Sequence, residues 1–281
     1  MGTDIAKLIQ RSARLEIDDI DFDAFRTQRL DPNALRCLRY MHDVEGHTIC
    51  YLRDILVTRV HRDPELTAFL ACWSYEEHWH GEALARVLDA HGEASGQSRL
   101  ANMRQHLPKA DSLRPAIFSA ISAVTKHLPA VHMAWGAVNE FSTQTGYARL
   151  IEKAKHTVLT ELLRRIMRQE GRHIDFYASE AGRRLGASRS ARQLTRYSLR
   201  HFWGPVGSGV MPEPEIRFLA TYLFGDEQGR SAAKRVDRQI DRLPGLQGLH
   251  LLDTAIGDAL AHGVRAVPSA ETRREDIAAA S

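Results

Sequence analysis

The 281-residue sequence predicts an all-α fold built on four long helices, and three observations carry that prediction. Alternating β-branched runs and Asn-Gly or Asp-Gly hairpin signals are missing. Long stretches of 3.6-residue periodicity follow one another, with Pro and Gly at the seams between them. Two Asp-Pro pairs, Asp31-Pro32 and Asp63-Pro64, each supply a helix N-cap followed by proline in the first turn.

In chain order, Asp31 opens a helix to about Val60 and Asp63 a second to about His91. A Gly/Ser-containing stretch and a short helix near 99–106 follow. Asp111 to about Glu152 reads as one long helical region, kinked at Pro115 and Pro129. A fourth long helix runs from about Lys155 to Leu185. A basic helix at 188–202, the bend GPVGSGVMPEP and two or three further helices to about Val264 complete the chain. Varied connections between four long helices predict a bundle with one long crossover, and such bundles hold cofactors between facing helices. The predicted organisation is a single domain over 1–265, with a core at 32–186, accessory helices at 188–264 and a flexible tail at 266–281.

Composition narrows the function classes. With 43% hydrophobic and 26% charged residues the chain is neither disordered nor fibrous. No window approaches the roughly 18 consecutive apolar residues of a membrane helix, and the N-terminus lacks the apolar core of a secretory signal, so a cytoplasmic protein is expected. A net charge of +3 is too small to imply nucleic-acid binding. Of the 38 basic residues six are lysines, leaving 32 arginines, a bias that coding composition explains without a phosphate ligand. Cys37, Cys50 and Cys72 share no CxxC spacing and are expected to be buried free thiols.

The chemistry lies in carboxylates placed where a core should be greasy. At 100° per residue, Leu66, Phe69, Leu70, Trp73, Glu77, His80, Ala83 and Leu84 fall within about 60° of one direction, so Glu77 and His80 face inward. Glu76, about 100° away from Glu77, sits at the edge of the stripe and is the weaker candidate. Leu159, Leu162, Leu163, Ile166, Glu170, His173, Phe176 and Tyr177 repeat the pattern at a constant offset of 93 (170 − 77, 173 − 80), the mark of a duplicated helical hairpin. Each Glu-x-x-His then has an acidic residue on the preceding helix: Glu45 lies 32 residues before Glu77 and Glu140 30 residues before Glu170 (77 − 45, 170 − 140). Four uncompensated buried carboxylates would cost several kcal/mol each, so the chain must either keep them protonated or supply positive charge, which two bound metal ions would do. One Glu from each of two helices plus Glu-x-x-His from the other two is the ligand set of di-iron and di-manganese carboxylate bundles.

Glu76-Glu77-His78-Trp79-His80-Gly81, Glu170-Gly171-Arg172-His173 and Glu140-Phe141-Ser142-Thr143 resemble the EENRHG, EKRH and ERAT motifs of the soluble acyl-acyl carrier protein desaturases, within the ferritin-like di-iron superfamily. Met211-Pro212 and Arg242-Leu243-Pro244 echo C-terminal landmarks of that family, so the resemblance covers roughly residues 32–245. It implies a ferritin-like four-helix bundle with added C-terminal helices, two iron ions per chain (or manganese), and O2-dependent desaturation of a fatty acyl chain on acyl carrier protein. It further implies a ferredoxin-like electron donor and a homodimer. Glu45 and Glu140 would be terminal ligands, Glu77 and Glu170 would bridge, and His80 and His173 would each complete one ion. Thr143, one turn beyond Glu140, would donate a proton or hydrogen bond to oxygen at the centre; its ordinary alternative is a hydroxyl bonded back to the i−4 carbonyl. Gln169 departs from the family's acidic residue just before the bridging Glu, which bears on the electron route.

Three features remain. Arg189, Arg192, Arg196 and Arg200 form a basic helical stripe, either a docking face for an acidic carrier or a solvated surface. His42, at i−3 from Glu45, is either a donor orienting that carboxylate or an ordinary half-buried histidine. The same ligand set also serves hydroxylation or N-oxygenation of a small molecule, and, in much shorter chains that form cages, iron oxidation and storage.

Overall fold

The computed structural model describes residues 5–265, and within them the chain is all α, with twelve α-helices and no strand. The expected tail at 266–281 lies outside the described residues. The helices are α1 (Ile5–Arg11), α2 (Ala24–Thr27), α3 (Pro32–Leu56), α4 (Pro64–Ala90), α5 (Gly96–Gln105), α6 (Arg114–Val124), α7 (Leu128–Ala154), α8 (Thr157–Ala187), α9 (Arg189–Phe202), α10 (Glu213–Phe224), α11 (Glu227–Ile240) and α12 (Leu251–Arg265). None of the described helices is long and apolar enough to cross a membrane.

Both Asp-Pro starts do what their chemistry dictates. Asp31 Oδ1 accepts from the Asn33 and Ala34 amides, and Asp63 Oδ1 from those of Glu65 and Leu66. These bonds satisfy orphan N–H groups of the first turn while the proline occupies a position that needs no donor. Two other boundaries differ from expectation. The first helix ends at Leu56, because Thr58 turns its hydroxyl back to the Ile55 carbonyl at 2.7 Å and caps a separate 3₁₀ turn, Arg59–Arg62. The stretch expected as one kinked helix over 111–152 is two helices: Thr125 is extended (φ −133°, ψ 136°), so α6 stops at Val124 and α7 starts at Leu128. Pro115 and Pro129 lie in first turns and start helices here; they do not kink one.

The four long helices form two hairpins, α3 with α4 and α7 with α8, and the hairpins meet through α3 against α7 and α4 against α8. This arrangement is compatible with a four-helix bundle and puts the inward stripes of α4 and α8 face to face. One hydrophobic cluster runs from Leu8 to Ile256, joining the bundle to the C-terminal group of α10, α11 and α12. Cys37 is fully buried, whereas Cys50 and Cys72 are half-buried, and all three are free thiols.

The N-terminal segment, unassigned by the sequence pattern, lies across the bundle. Phe25 is fully buried and stacks on His156, ring centroids 4.6 Å apart. Nearby, His91 Nε2 accepts from the Leu30 amide and its Nδ1 donates to the Val87 carbonyl. Between α1 and α2 the chain passes over α4 and α8, which places the Ala13 peptide beside the centre described next.

Candidate metal centre

Glu45 from α3, Glu77 and His80 from α4, Glu140 from α7, and Glu170 and His173 from α8 converge in the interior, none more than 7% exposed. Their ligand atoms fall into two groups, each with atoms within 4.8 Å of one another: Glu45, Glu77, His80, Glu170 and Glu77, Glu140, Glu170, His173. Glu77 and Glu170 belong to both. The i, i+3 spacing explains this, since one turn of helix aims both donors of each motif at the facing hairpin. All six residues picked out by sequence are therefore brought together.

Each histidine presents Nδ1 to the carboxylates. His80 Nδ1 lies 3.3 Å from Glu77 Oε2 and 3.4 Å from Glu170 Oε1; His173 Nδ1 lies 3.0 Å from Glu170 Oε2 and 3.3 Å from Glu77 Oε1. Each Nε2 donates away from the cluster, from His80 to Gln169 Oε1 at 2.8 Å and from His173 to Glu76 Oε2 at 2.7 Å. The outer carboxylates carry one aromatic donor each: Trp73 Nε1 donates to Glu140 Oε1 at 2.9 Å, and the Tyr147 hydroxyl donates to Glu45 Oε1.

The electrostatics express a cluster that must be neutralised. Burial, reinforced by the charge of Glu77, pushes the Glu45 carboxyl well above its usual range, and burial with the charges of Glu170 and Glu77 does the same for Glu140. Burial also opposes ionisation of Glu77, but hydrogen bonds from Glu45, His173 and His80 outweigh it and hold Glu77 well below the usual value. For Glu170, burial and the charge of Glu77 are outweighed by His173 and His80. Burial disfavours both imidazolium ions, yet the surrounding carboxylates raise His80 to about 9 and His173 well above its ordinary value. Without metal, protons stand where positive charge is required.

Three features fit metal ions. The donor set is hard carboxylate oxygen plus imidazole, suited to iron or manganese. Each imidazole has its Nε2–H committed outward, the tautomer that leaves an Nδ1 lone pair facing inward. Glu170 Oε1 is fully buried with no well-formed hydrogen bond, only the long 3.4 Å contact to His80 Nδ1, an arrangement that a bound cation would satisfy better. The cluster could hold metal ions, with Glu77 and Glu170 placed to serve both subsites.

Several partners were not legible in the sequence. Glu76, the edge candidate, is 2% exposed, accepts from His173 and from Arg172 (2.7 Å), and receives the Ala13 amide at 3.3 Å. Gln169 Nε2 donates to the Ala13 carbonyl at 3.1 Å. The offset of 93 pairs Glu76 with Gln169 (169 − 76), the signal that could have marked both. His42 does not reach Glu45; it is buried against Asp43, its Nδ1 2.8 Å from Oδ1, and Asp43 in turn accepts from Arg99.

Thr143 lines a narrow apolar cavity of about 70 Å³ that has Glu45 in its wall and runs between α3, α7, α10 and α12. Its neighbours Ser142 and Thr145 bond back to their i−4 carbonyls, whereas Thr143 makes no side-chain hydrogen bond. The arginine stripe divides. Arg192 donates to the Leu185 and Gly186 carbonyls at the end of α8, and Arg196 to those of Gly245 and Gln247, so these two serve as caps and loop anchors. Arg189 and Arg200 are exposed.

Fold and site define an all-α protein with a buried carboxylate–histidine cluster able to hold metal ions. No protein-family model matches the chain, and no curated protein or solved structure matches it.

Proposed function

We propose that this chain is a di-iron oxidoreductase that uses O2 to oxidise an unactivated C–H bond, with desaturation of a fatty acyl chain on acyl carrier protein as the reaction. The observation that carries the reading is the pair of ligand groups sharing Glu77 and Glu170. Two redox-active ions held there would carry the reduction of O2 to two waters, with two electrons and two protons coming from the substrate and two electrons and two protons from an external reductant and solvent.

The protein's own groups set the conditions. Glu45, Glu77, Glu140 and Glu170 balance the charge of two divalent ions, and His80 and His173 favour iron or manganese over magnesium. Tyr147 and Trp73 fix the rotamers of Glu45 and Glu140. Phe69, stacked on Phe176 at 3.9 Å, and the edge-on pair Trp73–Tyr177 close one side to water. On the other side the apolar cavity excludes water and receives the substrate, and Thr143, which lines the same cavity as Glu45, offers a hydroxyl able to donate a proton there. The lining, with Met41, Ile216, Leu219 and Leu223 among its residues, suits an aliphatic chain. At about 70 Å³ it holds only part of one, so a long chain must part α10 and α12 from the bundle. Arg189 and Arg200 remain available to an acidic carrier.

The test is turnover of iron-loaded protein with reductant and O2 on carrier-linked and free fatty acyl substrates, read by mass spectrometry. Loss of a pair of hydrogens from the carrier-linked chain is expected. Retention of both with a gained oxygen would replace desaturation by hydroxylation, and no iron-dependent product from any acyl substrate would overturn the substrate assignment.

A further inference from the structure

We propose that the two subsites are unequal, the Glu140–His173 subsite binding a divalent ion more tightly than the Glu45–His80 subsite, because His173 is backed by the carboxylate of Glu76 and His80 by the amide of Gln169. The inference rests on the dimetal reading and concerns residues outside the ligand set.

The subsites are otherwise closely matched. Both contain Glu77 and Glu170, both have one outer carboxylate held by a single aromatic donor, and both have a histidine with Nδ1 inward and Nε2–H outward. The outward bonds are crossed: Glu76 on α4 receives His173 of α8, and Gln169 on α8 receives His80 of α4. The two acceptors are repeat equivalents, each immediately before a shared glutamate, and one peptide unit ties them together. The Ala13 amide donates to Glu76 Oε1 while the Ala13 carbonyl accepts from Gln169 Nε2. That second bond also sets the amide orientation, leaving Oε1 of Gln169 to face His80.

What differs is charge. A carboxylate accepting from an imidazole N–H pulls that proton harder than an amide oxygen does, and so raises the donor strength of the other ring nitrogen. Arg172 engages the far oxygen of Glu76, at 2.7 Å, which fixes the carboxylate and leaves Oε2 aimed at His173. Gln169 has no ionisable group to offer His80. Outer hydrogen-bond partners of ligating histidines typically change metal affinity by about 10–100-fold, and that is the expected separation between the two binding steps. Glu76 and Gln169 are thus positioning residues acting through the histidines.

The experiment is an anaerobic titration of the metal-free, full-length protein with Co2+, followed by calorimetry and by the visible absorption of the bound ion. Two steps separated by about 10–100-fold are expected. Glu140→Ala should remove the tighter step and Glu45→Ala the weaker. Gln169→Glu should tighten the weaker step toward the first, a gain that damage to folding cannot produce, and Glu76→Gln should weaken the tighter one. Two ions bound with equal affinity, or a Gln169→Glu variant whose weaker step does not move, would overturn the inference and leave the dimetal reading standing. Fewer than two ions at saturating Co2+ would instead remove the dimetal reading itself.

Discussion

Metal binding at this centre should expel protons, and charge balance among its six side chains sets their expected number. In the metal-free protein the surroundings favour ionised Glu77 and Glu170, neutral Glu45 and Glu140, and cationic His80 and His173. The cluster is then neutral. With two divalent ions it is neutral again only if all four carboxylates are ionised and both imidazoles uncharged, so loading releases four protons from Glu45, Glu140, His80 and His173. Each unit fall in pH should weaken the overall two-ion binding constant by up to about 10⁴-fold, or about 5 kcal/mol at 1.36 kcal/mol per proton and pH unit. Calorimetric titration with Mn2+ at pH 6, in buffers of different ionisation enthalpy, counts the released protons directly. A count near four is expected. A count of one or none would refute the proton-for-metal exchange and the inward placement of the six side chains on which it rests.

Other consequences follow from single groups. His80 is raised to about 9 from an ordinary 6.5, so the stability it contributes is complete below its unfolded value and lost as pH rises through about 9. The metal-free protein should therefore melt at falling temperature between pH 7 and 10, and an unchanged Tm over that range would contradict the assignment. At Gly136 an added Cβ would lie inside van der Waals contact with Cε1 and Cδ1 of the fully buried Tyr177. Gly136→Ala should cost about 1–3 kcal/mol in denaturant unfolding, and a neutral result would mean that Tyr177 can move aside. A Cβ at Gly146 would meet Leu223 and Met41 at 3.6 and 3.7 Å, on the cavity wall. Gly146→Phe should therefore abolish turnover of acyl substrates while metal content stays normal; full activity would show that the substrate enters elsewhere.

Glu77, His80, Glu170 and His173 were legible because they obey two periodicities at once, the helical stripe and the constant offset of 93 between hairpins, and Glu45 and Glu140 because each lies at a near-equal distance, 32 and 30 residues, before one of those motifs. The starts of α3 and α4 were legible because Asp-Pro does one local job wherever it occurs. What escaped depends on distant chain or on a local backbone choice that the residue pattern leaves open. Glu76 looks marginal on a helical wheel and is buried because Ala13 and Arg172 cover that side of α4. Arg192 and Arg196 read as part of a docking stripe or a solvated face, yet Arg192 turns back to the end of α8 six and seven residues away and Arg196 reaches a loop some fifty residues on. The break at Thr125 was hidden because Pro129 can either kink a helix or begin one, and only the extended backbone at Thr125 decides between them.

The central claim is best tested by anomalous diffraction from crystals of the manganese- or iron-loaded protein, with metal content measured on the same batch. Two anomalous peaks per chain are expected, both in contact with Glu77 and Glu170, one beside Glu45 and His80 and the other beside Glu140 and His173. Absence of metal from this interior, with ions found only at surface carboxylates, would contradict it.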